Sequence, residues 1–179
     1  MRVILGLAAL LALGACGSDV PSPAERLQQE NGAAPVDAGK VVLRGDGLAA
    51  GAEAFYFAAG RSEVETAMGA VLGPPEGRQS NEECGAGLME FTRYEGGLTL
   101  NFQQDRLVGW YSDEANPAIA LDGGGSVGTP RAELAEAGGF SMIEGSTLGE
   151  EFALGERIGG FLDGDTVSGL YAGANCFFR

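Results

Sequence analysis

The sequence predicts an α+β domain made of two degenerate repeats. Each repeat is one helix plus a three-stranded antiparallel meander, and together they form one curved sheet with both helices on one face. Three observations lead there. A glycine followed by a helix-starting stretch occurs twice, at Gly60 and at Gly128. Each stretch is followed by short runs of period two between Gly and Asp turns, which signal hairpins. All aromatic residues lie between Phe55 and Phe178, which confines the core to roughly residues 40–179.

The first half covers residues 40–122. Glu53–Phe57 is a candidate lead-in strand, with another candidate element at Val41–Arg44. Ser62 and Glu65 have the spacing of a capping box. Val64, Ala67, Met68, Val71 and Leu72 then recur at helical spacing until Gly73-Pro74-Pro75 stops the helix. Leu88–Tyr94, a Gly96-Gly97 turn, the alternating Leu98, Leu100 and Phe102, a Gln104-Asp105 turn and Leu107–Tyr111 make the first meander. The second half covers residues 123–179. Thr129 can cap a short helix with Pro130 at its first position, and Gly138-Gly139 ends it. Glu151–Leu154, Ile158–Leu162, an Asp163-Gly164-Asp165 turn and Thr166–Ala172 complete the second meander.

Residues 1–39 read differently. Arg2 precedes an apolar run from Val3 to Leu13, about 11 residues long, whereas a bilayer core needs about 20. The run fits the apolar region of a secretory signal peptide covering residues 1–15. Leu13-Gly14-Ala15-Cys16 follows, and it resembles the bacterial lipobox. That resemblance implies cleavage before Cys16 and lipidation of Cys16. By the enterobacterial sorting rule, Gly17 in place of Asp implies the outer membrane, facing the periplasm, while other lineages sort differently. Residues 16–39 contain three prolines and no aromatic residue, so they read as a flexible tether. Its coil reach is about 25 Å. Removal of residues 1–15 takes one positive charge and shifts the net charge from −14 to −15.

Two cysteines remain after lipidation, Cys84 and Cys176. An oxidising compartment favours one intramolecular disulfide between them. The chain-entropy model gives a loop of that size about 4 kcal/mol. The terminal Cys176-Phe177-Phe178-Arg179 then docks as the end of a last strand.

The order "Gly, helix, Leu72-Gly73-Pro74, antiparallel meander" behind a lipid anchor is similar to small bacterial outer-membrane lipoproteins of the SmpA/OmlA type. In tandem, with Gly128, Thr129 and Glu133-Leu134 as the second start, it resembles the β-lactamase-inhibitor-protein architecture. The resemblance covers two segments of about 50 residues. It implies a fold and a non-catalytic adaptor role, and it transfers no binding residues.

Composition removes several chemistries. The chain has no histidine, so Ser-His-Asp and Cys-His catalysis and His-zinc sites are out of reach. With 11 Lys and Arg against 25 Asp and Glu it does not suit nucleic acid, whose affinity comes from cationic side chains. One motif points the other way. Gly123-Gly124-Gly125-Ser126-Val127-Gly128 is a literal G-x-G-x-x-G between a candidate strand and a helix, with Glu144 at the spacing of a ribose-binding acid. The competing reading is therefore an NAD(P)-dependent oxidoreductase, of the kind labelled aspartate-semialdehyde-dehydrogenase-like, using Gly123, Gly125, Gly128 and Glu144. A weaker copy lies at Gly45–Ala50. The short second helix and the meander that follows weigh against a dinucleotide crossover, and no cofactor is assigned.

The acidic groups Glu82-Glu83 and Asp113-Glu114 lack calcium-loop spacing and read as a solvated face, so no metal is assigned. Phe102 and Trp110 lie on consecutive strands of the first meander and are the candidate partner-binding residues. The expectation is a lipid-anchored binding or scaffold module of the cell envelope without catalytic activity. It is held to the membrane by its anchor, contacts an envelope protein and does not bind nucleic acid.

Overall fold

A computed structural model describes residues 39–177 of the chain. Among these residues there are twelve strands and two helices. The strands are β1 Val41–Arg44, β2 Gly47–Ala50, β3 Glu53–Tyr56, β4 Gly77–Asn81, β5 Met89–Tyr94, β6 Leu98–Gln103, β7 Arg106–Ser112, β8 Ile119–Leu121, β9 Phe140–Met142, β10 Glu151–Leu154, β11 Ile158–Asp163 and β12 Thr166–Gly173. The helices are α1 Arg61–Leu72 and α2 Arg131–Glu136.

The expected α+β fold of three-stranded meanders in one sheet is therefore corrected. The molecule is mostly β, with two sheets. One has four strands in the order β3-β2-β1-β8, and the other has eight in the order β4-β5-β6-β7-β12-β11-β10-β9. Three elements account for the difference. Gly45-Asp46 turns β1 into β2, so the weaker glycine copy is a hairpin. Strand β4 is Gly-Arg-Gln-Ser-Asn, exposed along most of its length, and gives no hydrophobic alternation to read. Strand β9 has only three residues.

The eight-stranded sheet is antiparallel throughout. Its two central strands, β7 and β12, each end a run of hairpins. The hydrogen bonds that seat α1 reappear at α2. Arg61 N–H donates to Asp105 at 2.9 Å, and Arg131 N–H donates to Asp165 at 2.8 Å. Leu107 N–H donates to Ala59 at 2.9 Å, and Val167 N–H donates to Thr129 at 3.0 Å. The β6–β7 hairpin shifts register between Asn101 and Phe102, and the β11–β12 hairpin shifts between Phe161 and Leu162.

These backbone anchors explain why the side-chain caps expected from sequence are not used. The N-cap of α1 is Gly60 without a side-chain cap bond, and the Ser62 carbonyl accepts from Thr66. Pro130 is the N-cap of α2, and Thr129 Oγ1 accepts from Ser126 N–H at 2.9 Å. Gly73 at φ 84° closes α1 with its N–H on the Gly69 carbonyl, as a glycine C-cap does.

One face of the eight-stranded sheet supplies the core. Leu98, Leu100, Phe102, Leu107, Trp110 and Leu170 point inward and are buried with Val41, Leu43 and Leu48 of the four-stranded sheet. Helix α1 adds Val64, Ala67 and Met68, spaced to lie on one helical face. Trp110 joins the two sheets. Its indole Nε1 donates to the carbonyls of Arg44 at 2.9 Å and Gly47 at 3.0 Å.

Candidate functional site

One face of the eight-stranded sheet is committed to the core, and the opposite face is the candidate surface. Register fixes what it carries. One row across the sheet runs Arg93, Thr99, Tyr111, Tyr171, Gly159 and Ala153. A second runs Gln79, Phe91, Asn101 and Gly109. Phe161 lies between Gly169 of β12 and Glu151 of β10. Alternation along each strand puts these residues on the side away from Trp110.

Four aromatic rings gather at the centre of this face. Phe177 meets Tyr171 at 5.0 Å, Phe161 at 5.4 Å and Tyr111 at 5.8 Å between centroids, each time edge to face. Phe161 and Tyr171 lie 5.5 Å apart. Such geometries suit the ring quadrupoles. All four rings are half-buried. They rest on a floor of glycines. A Cβ on Gly159 would come within 2.2 Å of the Tyr171 ring, and one on Gly169 within 3.1 Å of the Tyr111 hydroxyl. Strand glycines here mark close approach of a neighbour.

Polar groups surround the rings. Glu151 is fully buried, and its carboxylate accepts from the Tyr171 hydroxyl and, at 2.5 Å, from the Ser146 hydroxyl. Arg93 bridges Asp113 at 3.1 Å and Glu114 at 2.7 Å. Burial, then the Asp113 charge, push the Tyr111 hydroxyl above its ordinary pKa, with Arg93 opposing. Toward the β4 edge, Glu76, Gly77, Gln79, Phe91, Arg93 and Thr99 line a groove of about 360 Å³.

The chain crosses this face after β12. Ala174 N–H donates to the Val108 carbonyl at 2.8 Å, and Asn101 Nδ2 donates to the Ala174 carbonyl and to Asn175 Oδ1, both at 2.8 Å. Cys176 is then bonded to Cys84 of the β4–β5 loop, with Cα atoms 5.3 Å apart. The pair expected from sequence is thus present, but the tail does not dock as a strand end, because β12 stops at Gly173. Phe178 and Arg179 lie outside the described residues, as does Cys16 with the expected signal and tether.

Phe102 and Trp110 are not on this face. Both are fully buried, so neither is an exposed partner contact. The Arg61 guanidinium sits over the Phe102 ring at 4.6 Å, and the Trp110 indole is held by β1 and β2. Sequence reasoning does not single out Phe161, Tyr171 or Phe177 as a surface cluster, and at Trp110-Tyr111 it leaves the choice of face open. The available signal is the interleaving of aromatics with glycines in β7, β11 and β12.

The Gly123–Gly128 loop does not have the geometry of a dinucleotide cradle. Strand β8 before it is parallel to β1, while β9 after it pairs antiparallel with β10 in the other sheet, so no βαβ crossover exists here. The loop uses its amides internally. Gly124 N–H donates to Leu121, Ser126 N–H to Thr129 and Gly128 N–H to Val167. Gly125 has a packing reason, since a Cβ there would stand 2.8 Å from Leu134 Cδ1. The adjoining groove is about 180 Å³, and Glu144 is exposed in the loop after β9.

A second polar cluster lies on the core side. Glu65 of α1 accepts from Arg61 at 3.2 Å, Arg78 at 2.8 Å and Thr92 at 2.7 Å. Arg61 also donates to Glu90 at 3.0 Å. Burial pushes the Glu65 carboxyl up, but the hydrogen bonds from Arg78 and Thr92 and the charges of Arg78 and Arg61 outweigh it, and its pKa is lowered. This cluster pins α1 to β4 and β5. Among the described residues, no group of three or more His, Cys, Asp or Glu is placed to hold a metal ion, and no helix is long and apolar enough to cross a membrane.

The fold and this face define a class, a two-sheet β domain with one sheet face closed over a core and the other carrying half-buried aromatics. No protein-family model, curated protein or solved structure matches the chain.

Proposed function

We propose that the chain is a lipid-anchored, non-catalytic binding or scaffold module of the bacterial cell envelope. It faces the periplasm from the outer membrane and docks an envelope protein on the outer face of its eight-stranded sheet. The Leu13-Gly14-Ala15-Cys16 sequence after an apolar run supports the anchor, and the residues that follow support a tether. The Cys84–Cys176 bond supports an oxidising compartment.

One observation carries the docking role. Tyr111, Phe161, Tyr171 and Phe177 form a half-buried aromatic cluster on the sheet face away from Trp110, which the chain crosses after β12. Aromatic anchors ringed by polar groups are the usual composition of a protein interface.

Affinity capture from the native envelope tests the reading, using the oxidised protein and two charge variants. Thr99→Lys changes the outer face, and Glu136→Lys changes the exposed end of α2. A captured protein lost with Thr99→Lys and kept with Glu136→Lys supports it. Equal capture by both variants contradicts it.

A further inference from the structure

The path of the chain after β12 assigns a second role to the disulfide. We propose that Cys84–Cys176 is a redox latch that keeps Phe177 seated on the outer sheet face, and that a dithiol reductant opens that face without unfolding the sheet. The inference stands whether or not a protein partner docks there.

Attachment changes abruptly along the tail. Ala174 and Asn175 are clamped by backbone and side-chain hydrogen bonds to Val108, Asn101, Ala172 and Gly173. Beyond Asn175 the contacts shown are of another kind. Cys176 has its bond to Cys84 and a contact of 3.5 Å from Asn81 Nδ2 to its sulfur. Phe177 has its ring contacts with Tyr111, Phe161 and Tyr171. Edge-to-face ring pairs are individually weak, so they hold Phe177 chiefly while the disulfide keeps it close. The strands beneath have their own ladders, and none of those hydrogen bonds passes through Cys176.

The two cysteines differ in burial. Cys84 is buried at 6% exposure, whereas Cys176 is only half-buried. A thiolate of the reductant attacks Cys176 Sγ, the S–S bond breaks, and Cys84 leaves as a thiolate that takes up a proton. The reductant's second thiolate then attacks the mixed disulfide and releases Cys176, which is protonated in turn. Two electrons and two protons pass to the protein, and the dithiol leaves as its own disulfide. Phe177 is then free to swing away about Asn175. That leaves Tyr111, Phe161 and Tyr171 open over Gly159 and Gly169.

The test treats the full oxidised chain with dithiothreitol under native conditions, with mass spectrometry confirming the gain of two hydrogens. Proton NMR follows the contacts of the Phe177 ring with Tyr171. Amide exchange follows β6, β7, β11 and β12, and an apolar fluorescent dye reports exposed rings. The expected result is loss of the Phe177–Tyr171 contacts and a several-fold rise in dye fluorescence, with strand protection retained. Oxidised Phe177→Ala gives the same rise without reductant, and reduction adds little to it. A bond that resists excess dithiol, a reduced protein that keeps the ring contacts, or strands that lose protection together with the tail would each overturn the latch.

Discussion

Tyr111 of β7 and Tyr171 of β12 stand directly opposite each other at the centre of the eight-stranded sheet, and they are sixty positions apart in the chain. The same offset relates Asp105 to Asp165 and Leu107 to Val167, whose backbone groups seat α1 and the start of α2. It also relates the two register shifts, at Asn101/Phe102 and Phe161/Leu162. A local two-fold relation therefore passes between the two tyrosines. Because residues sixty positions apart meet there, the two tyrosines form a pair, and Phe161 and Phe177 enlarge it.

Replacing Trp110 with Phe tests how the sheets are joined. The change removes the donor shared by the Arg44 and Gly47 carbonyls and leaves a small void in the core. Unpaired buried acceptors cost about 1–3 kcal/mol. Urea unfolding is expected to show a lower midpoint with an unchanged slope.

The glycine floor predicts a contrast between two Gly→Ala changes. At Gly159 the new methyl would meet the Tyr171 ring at 2.2 Å, so that ring must move. Overpacking of this kind costs about 1–3 kcal/mol. At Gly77 on the edge strand nothing lies within 4 Å, and alanine is expected to fall within about 0.5 kcal/mol of wild type. Thermal unfolding of both variants checks this, and Gly159→Ala should also weaken the Phe177–Tyr171 ring contact by NMR.

Glu65 makes the fold sensitive to acid. Its carboxyl has a lowered pKa in the folded chain, so its contribution to stability is present above its unfolded value of about 4.3. That contribution is lost as pH falls through the lower folded value. Unfolding free energies of wild type and Glu65→Gln are expected to differ at neutral pH and to converge as pH drops below about 4.3.

Tyr94 makes the opposite prediction at alkaline pH. Its hydroxyl is buried with no hydrogen-bond partner among the described residues, and burial, then the Glu65 charge, push its pKa up to about 12. The folded pKa is raised, so stability is retained below the unfolded value of about 10 and lost as pH climbs toward the folded one. Tyr94→Phe removes an orphaned polar atom and keeps the ring. It is expected to be as stable as wild type or more so at neutral pH, and to lose less stability above pH 10 or so.

Much of this was legible in the chain. Gly96-Gly97, Gln104-Asp105 and Gly164 mark turns that occur where the period-two runs imply them, with positive φ at all five residues. Val64, Ala67 and Met68 identify the buried face of α1. The extra sheet was not legible, because Gly47–Ala50 is a four-residue strand buried along its length, with no polar alternation, and looks like a glycine loop. Strand β4 was missed for the converse reason, being polar on an edge where no alternation is required. The choice of face at Trp110 and Tyr111 could not be read, since adjacent strand residues point opposite ways and either aromatic suits a core. Burial of Trp110 follows from its nitrogen reaching two β1–β2 carbonyls, a contact set by tertiary structure alone.

The docking face is tested most directly by photo-crosslinking in the native envelope. A photoreactive phenylalanine analogue is placed at Thr99 on the outer sheet face, or at Glu136 on α2. A discrete protein adduct is expected from Thr99, abolished by Tyr171→Ala, and none from Glu136. Adducts of equal yield from both positions, or from Glu136 alone, would contradict it.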